Sequence, residues 1–278
     1  MSHLVYPTAA QLVWNPRAPK GIRDGLVFAG GMEFPGSTYY HDASGYGNAG
    51  TLINMDPATD WGWSAELGRP YLDFDGSDDW VGCGEVAQLN GLSFAALSGW
   101  LYGSGGNATV FGRTYYRKRF TLGVDGGKAY WSVENGGDSY PSSTPASVNG
   151  WHHYVMVFDG TQVEGLGRLA CYVDGVPQSL SAGGGNPPST TGTGAWPAHF
   201  TLGRGFPYNN YVYYAGPISE PLAFTRLLTT PEIQWLADPT HRLRVPWRRT
   251  VWPVGVVAGP TFNPAWAANV NTYIGLGA

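Results

Sequence analysis

The sequence predicts an all-β protein, an antiparallel sandwich of two packed sheets, and two observations carry that prediction. An alternating apolar run ending in Asp-Gly recurs as YLDFDG (71–76), FTLGVDGG (120–127), HYVMVFDG (153–160) and LACYVDG (169–175). Asp-Gly accepts the positive φ angles of a type I′ turn, whose twist suits a two-stranded hairpin. The composition agrees: 41 glycines, 21 prolines, 14% aromatic and only 13% charged residues favour many short strands joined by tight turns. With 43% hydrophobic residues, the 278-residue chain has apolar surface enough for one large β domain or two small ones.

Taken in order, residues 1–23 hold proline interruptions, no sustained period and the cations Arg17, Lys20 and Arg23, and read as an arm. The start, MSHLVYPTAAQLVW, lacks the basic and unbroken apolar regions of a secretory signal. In YLDFDGSDDWVG, Leu72 and Phe74 point to one face and Asp73 and Asp75 to the other, because side chains alternate along a strand. Gly76 and Ser77 turn the chain, and Trp80 with Val81 begins the next strand, so the acidic stretch reads as a hairpin turn. An EF-hand would need its glycine sixth, and Gly76 comes fourth from Asp73. The same period assigns Trp100, Tyr154, Met156, Phe158, Tyr172 and Leu202 to the core beside Leu72 and Phe74. Cys83 and Cys171 lie in strand-like runs and read as free buried thiols.

One helix has start signals. In LLTTPEIQWLADP, Thr230 suits the N-cap, Pro231 the first helical position and Glu232 the first turn. Ile233, Leu236 and Trp235 would dock it on the sandwich, and Pro239 ends it. Residues 238–278 mix Arg242, Arg244, Arg248 and Arg249 with Trp247, Trp252 and Trp266, too apolar for a solvated tail. They must lie on their own domain or on a neighbour. The stretch VWPVGVVAGP is far short of the roughly 20 residues that cross a bilayer. No membrane insertion is expected.

The order of motifs resembles the laminin G-like, concanavalin A-type jelly rolls. GLVFAGGMEF (25–34), HDASGYGNAGTL (41–52), LDFDGSDDWVGCG, LSFAALSGWLY (92–102), GWHHYVMVFDG, LACYVDGV, FTLGRG (200–205) and YAGPISEPLAFTRLLTTPEI (214–233) carry the likeness. It implies a jelly roll over residues 24–237, flanked by the arm 1–23 and a docking tail over 238–278. Many relatives hold a structural calcium in the Asp-x-Ser-Gly loop. The likeness therefore implies Asp42, Asn48 and Glu220 as candidate ligands, with Ser219 standing where those relatives carry aspartate. Against this, Asp42 and Asn48 cap a turn by bonding backbone N–H groups.

Catalysis is not expected. Glucanases of this fold resemble one another in a Glu-x-Asp-x-x-Glu strand that sets two carboxylates about 5–5.5 Å apart. No glutamate of this chain lies in that pattern, and no Gly-x-Ser-x-Gly or His-Glu-x-x-His motif occurs. His152 and His153 are adjacent on a strand and point to opposite faces, so they cannot share a metal. A net charge of −4 gives no general attraction for nucleic acid. The tyrosine-dense stretches TYYRKRF and FPYNNYVYY put forward Tyr115, Tyr116, Tyr208, Tyr211 and Tyr213 as sugar-stacking residues, though such rings equally suit a sandwich surface or protein interface.

A non-catalytic jelly roll with Arg/Trp/Pro-rich ends looks like a structural component of a tailed-phage virion: a capsid decoration, tail fibre or fibre adaptor. That likeness implies assembly in the host cytoplasm, other virion proteins as partners and a homo-oligomer docked through Trp247, Arg248, Arg249, Trp252 and Trp266. It implies host glycan as the outward contact and no cofactor, calcium aside. The alternative is a stand-alone carbohydrate-binding or adhesion module, which needs no arms.

Overall fold

A computed structural model describes residues 12–246 apart from 32–36, 104–107, 116–117, 126–127, 137–140, 144–149, 164, 183–185, 194–198 and 206–210. The first strands are β1 (Leu12–Trp14), β2 (Leu26–Ala29), β3 (Tyr39–Tyr40), β4 (Gly50–Ile53), β5 (Trp61–Ser64), β6 (Arg69–Asp75) and β7 (Trp80–Gly82). The central ones are β8 (Phe94–Tyr102), β9 (Ala108–Tyr115), β10 (Lys118–Asp125), β11 (Lys128–Val133), β12 (Pro141–Ser143) and β13 (Trp151–Asp159). Then follow β14 (Leu169–Val173), β15 (Val176–Gln178), β16 (Leu180–Ala182), β17 (Phe200–Leu202), β18 (Arg204–Gly205), β19 (Val212–Tyr213) and β20 (Ala215–Phe224). The helix α1 (Thr230–Leu236) and β21 (Arg244–Pro246) close the described chain.

Two antiparallel sheets form the sandwich. One runs β16-β12-β11-β10-β9-β17-β7-β4-β3, the other β15-β14-β13-β8-β20-β6-β5, with β2 also on β20. Leu72, Phe74, Tyr154, Met156 and Phe158 of the second sheet meet Val81, Phe111, Leu122, Trp131 and Leu202 of the first in one buried cluster. Burying such side chains contributes roughly 1.5–3 kcal/mol each. Cys83 and Cys171 are both buried and unpaired with one another.

Two core assignments need correction. Tyr172 is only partly buried and packs on the outer face, while Leu169 and Cys171 of β14 point inward. β14 alternates, with Leu169 and Cys171 inward, and its pairing with β13 sets Cys171 opposite the core residue Met156. Trp100 is buried, but it shares the outer face with Leu67 and Trp151.

The Asp-Gly signals resolve into different turns. Asp174 (φ 51°) and Gly175 (φ 75°) form the two-residue I′-like link between β14 and β15. The Asp75-Gly76 turn is not a hairpin: β6 and β7 belong to different sheets, so this turn carries the chain across the sandwich. Gly76 sits at φ 80°, with an added Cβ only 2.7 Å from the Cβ of Ala215.

The outer face of the second sheet is covered by α1 and its flanks. Ile233 and Leu236 pack with Ile22, Leu222, Phe224 and Leu243. The N-cap is Thr229, one residue before the expected Thr230: its side chain accepts from the Glu232 N–H while Glu232 bonds back to Thr229 N at 2.8 Å. Thr-x-x-Glu spacing favours this reciprocal box. Segments from both ends of the described chain meet here, as β1 pairs with β21, Leu12 opposite Pro246 and Trp14 opposite Arg244.

The same face buries polar groups. Arg69 pairs with Glu220 and donates to the carbonyls of Pro239 and His241. Beside them, Ser98 Oγ meets His153 Nε2 at 2.9 Å, and the His153 ring lies 5.1 Å from Trp100. Burial first, then the charge of Arg69, lowers the His153 pKa to about 3. Since the folded value lies below that of the free side chain, this contribution to stability is intact above pH ~6.5. It is lost as pH falls from there towards about 3, by at most about 1.4 kcal/mol per pH unit. We expect urea midpoints to drop through that window and His153→Gln to flatten the drop; equal slopes in both proteins would show that the ring titrates freely.

Candidate functional site

Loop 42–48 is organised by one carboxylate. Asp42 Oδ1 accepts from the N–H groups of Ala29 (3.0 Å) and Ser44 (2.9 Å). Its Oδ2 accepts from Ser44 Oγ (2.8 Å) and Asn48 N–H (2.9 Å). Asn48 Nδ2 in turn donates to the Val27 carbonyl at 2.8 Å. All four groups on Asp42 are hydrogen donors, the pattern of a turn-capping carboxylate. Glu220, the third candidate, lies with its carboxylate against Arg69, and Ser219 Oγ donates to the Pro70 carbonyl at 2.7 Å.

A different group of residues forms an exposed rim. The short hairpin of β18 and β19 places Arg204 opposite Tyr213. The Arg204 guanidinium carbon lies 3.1 Å over the Trp80 ring and 4.4 Å from the Tyr211 ring centroid. Burial dominates its electrostatics and lowers its pKa, opposed by Tyr211 and by a hydrogen bond with Tyr213. A guanidinium between two aromatic faces is held by cation–π attraction. The outer ring of this stack, Tyr211, is 55% exposed.

The acidic turn borders the rim, because Ala215, two residues past Tyr213, pairs with Asp75. Asp75 Oδ1 accepts from Ser77 N–H at 2.7 Å, and Asp79 Oδ2 from Asp75 N–H at 3.1 Å. Asp75, Asp78 and Asp79 bring carboxylate oxygens within 4.8 Å of one another. The Ser77 hydrogen bond leads in lowering the Asp75 pKa; burial leads in raising that of Asp79, with the charges of Asp75, Asp60 and Asp78 adding to it. An exposed ring face beside acceptor-only carboxylates complements a ring edged with hydroxyl groups.

Of the tyrosines the sequence puts forward, Tyr211 and Tyr213 meet at this rim. Tyr115 ends β9, and since Leu202 faces Phe111 and Phe200 faces Arg113, that end lies away from Arg204. The structure does not join it to the rim. Tyr116, Tyr208 and the side chain of Tyr115 fall outside the described residues, as do Trp247, Arg248, Arg249, Trp252 and Trp266. Sequence reasoning missed Trp80 and Arg204. Each stood in a quoted strand motif, but no local pattern links positions so far apart.

Several glutamates are engaged structurally. Glu134 is buried against Arg119, Glu220 against Arg69, and Glu232 caps α1 while binding Arg226 at 2.6 Å. Glu85 accepts from Asn90 at 2.8 Å. The adjacent histidines part as expected: His152 Nδ1 meets Asp174 at 2.7 Å, and His153 turns into the outer-face cluster.

Replacing Asp42 by Ala leaves the buried Ala29 N–H without its acceptor and removes three further bonds. Bonds to a charged group contribute about 1.5–3 kcal/mol, so we expect a loss of about 3 kcal/mol in chemical denaturation. A loss under about 0.5 kcal/mol would mean the loop is held by other contacts.

A family model described as the concanavalin A-like lectin/glucanases superfamily, of laminin G type, matches residues 75–234. A search of curated proteins by sequence finds no match. Among solved structures, the binding domain of botulinum neurotoxin DC in complex with rat synaptotagmin II is 12% identical, with a TM-score of 0.53 over 78% of this chain and 52% of that one. A botulinum neurotoxin type C structure, titled for cell entry dependent on two ganglioside molecules, is 12% identical with a TM-score of 0.55, covering 78% and 52%. A Trypanosoma rangeli sialidase bound to the inhibitor DANA is 14% identical with a TM-score of 0.50, covering 76% and 32%. The chain thus spans about half the length of the neurotoxin domains it matches.

Proposed function

The chain belongs to the concanavalin A-like lectin/glucanases superfamily, and from that premise we propose that it is a non-catalytic recognition module of a virion whose jelly roll contacts host-surface glycans. The observation that carries this reading is the Trp80–Arg204–Tyr211 stack, which sets an exposed ring beside the acidic turn. A ring fixed in advance stacks on a sugar without the entropic cost of ordering it first. The printed contexts of two matched structures, ganglioside-dependent cell entry and an inhibited sialidase, are in keeping with it.

The virion setting draws on the Arg/Trp/Pro-rich residues 238–278, whose rings favour burial against neighbouring subunits. The stand-alone module is favoured by another observation: within residues 12–246 the two sheets enclose their own apolar core. Antibodies against the chain that label intact particles would support the virion setting, and particles that lack the chain would remove it.

On a glycan array, the full chain should retain specific sugars, and Tyr211→Ala should weaken them about tenfold, the worth of one aromatic contact. Binding that survives this substitution unchanged would place glycan contact away from the rim.

A further inference from the structure

A groove lies apart from the rim, between residues 14–26 and the loop that carries Ser44 and Tyr46. Its volume of about 440 Å³ is in the range of small-ligand sites. Two of its polar side chains are committed to holding its shape. Asn15 donates to the Arg242 carbonyl through Nδ2 and to the Leu243 carbonyl through its N–H, each at 2.7 Å. Its Oδ1 accepts from the Arg17 N–H at 2.9 Å. Ser44 Oγ is bonded to Asp42 Oδ2 (2.8 Å) and accepts from the Tyr46 N–H (3.2 Å). From outside the lining, Arg226 donates to the carbonyls of Gly21 (2.9 Å) and Asp24 (2.6 Å), which fixes the backbone there.

Three other lining side chains keep their polar ends for a ligand. The guanidinium of exposed Arg23 lies 4.5 Å from the Trp14 ring centroid, and its N–H groups make no hydrogen bond among the described residues. Asp24, also exposed, bonds through its backbone N–H and carbonyl, while its carboxylate has no partner among the described residues. Tyr46, 54% exposed, bonds through its backbone N–H and leaves its ring and hydroxyl open. Of the lining residues, Arg23 and Asp24 alone are charged, one of each sign, so the lining is balanced. They form no ion pair with each other. Ala18, Pro19, Ile22 and Leu26 give the rest of the segment an apolar character.

We propose that this groove is a second binding site, specific for a neutral saccharide. Arg23 only donates hydrogen bonds and the Asp24 carboxylate only accepts them, whereas a hydroxyl does both. Neighbouring hydroxyls of one sugar ring can therefore accept from Arg23 and donate to Asp24, and both bonds are charge-assisted. The apolar face of the ring lies against Tyr46. An acidic sugar would meet Arg23 but set its charge against Asp24, and an amino sugar would do the reverse. A small zwitterion would match both charges and gain nothing from Tyr46. The proposal rests on the reading of the chain as a glycan-contacting module, but adds a place and a ligand class that the rim does not supply.

The test is calorimetric titration of the full chain with the methyl glycosides of glucose, galactose and mannose and with N-acetylglucosamine. Glucuronic acid, glucosamine and glycine serve as charged controls. The titrations are repeated on Arg23→Gln, Asp24→Ala, Tyr46→Ala and Tyr211→Ala, each first shown to melt like the parent. We expect at least one neutral sugar to bind with about tenfold preference over every charged control. Arg23→Gln, Asp24→Ala and Tyr46→Ala should each weaken it about fivefold, and Tyr211→Ala should leave it unchanged. A charged control that binds as tightly as the best neutral sugar would overturn the proposal. So would the absence of heat with all the neutral sugars, or binding indifferent to Arg23, Asp24 and Tyr46. Sugar binding that falls with Tyr211→Ala alone would refute the groove and keep the rim; the opposite pattern would keep the groove and refute the rim.

Discussion

The guanidinium of Arg69 joins three distant parts of the chain at one point. It stands at the start of β6, meets Glu220 in β20 and reaches the carbonyls of Pro239 and His241 past α1. Burial and the nearby charge of Arg242 lower its pKa to about 9, so it is still charged at neutral pH. A buried charge that loses its partner costs on the order of 3–5 kcal/mol. Glu220 is committed as well, at φ 46° where the register of β20 shifts against β8. The segment after α1 is therefore held down over the outer face, where the Arg69 guanidinium also lies 5.5 Å from the Trp100 ring centroid.

This arrangement divides the molecule. The space between the sheets is filled with apolar side chains. At the rims, short hairpins and turns are pinned by side chains from elsewhere: Arg204 by Trp80, and the 19–25 segment by Arg226. Charge is also unevenly placed, with Asp75, Asp78 and Asp79 beside one aromatic rim and Arg17, Lys20 and Arg23 in the exposed segment before β2.

How much of this is legible in the sequence depends on how far apart the deciding residues lie. The Asp174-Gly175 turn is local, and its chemistry is enough to predict it. Asp75-Gly76 looks the same locally, yet it leads to the other sheet, because only distant partners decide which sheet β7 joins. The Thr229 cap was within reach, since Thr-x-x-Glu spacing marks it against Thr230. So was Tyr172, since alternation puts it on the face opposite its buried neighbour Cys171. At the site, Tyr211 and Tyr213 could be read from composition, whereas Arg204 and Trp80 could not: a cation between two rings leaves no spacing to find.

The ribbon of β1 and β21 has a mechanical meaning. Leu12 and Pro246 face each other at one end of it, so the chain enters and leaves the described domain at a single point. A pull applied through both termini loads that end first and peels the backbone hydrogen bonds one after another instead of shearing them together. The two sheets lie behind this seam and carry no tension until it has opened. Under drag, the ribbon would yield as a soft link while the domain kept its shape.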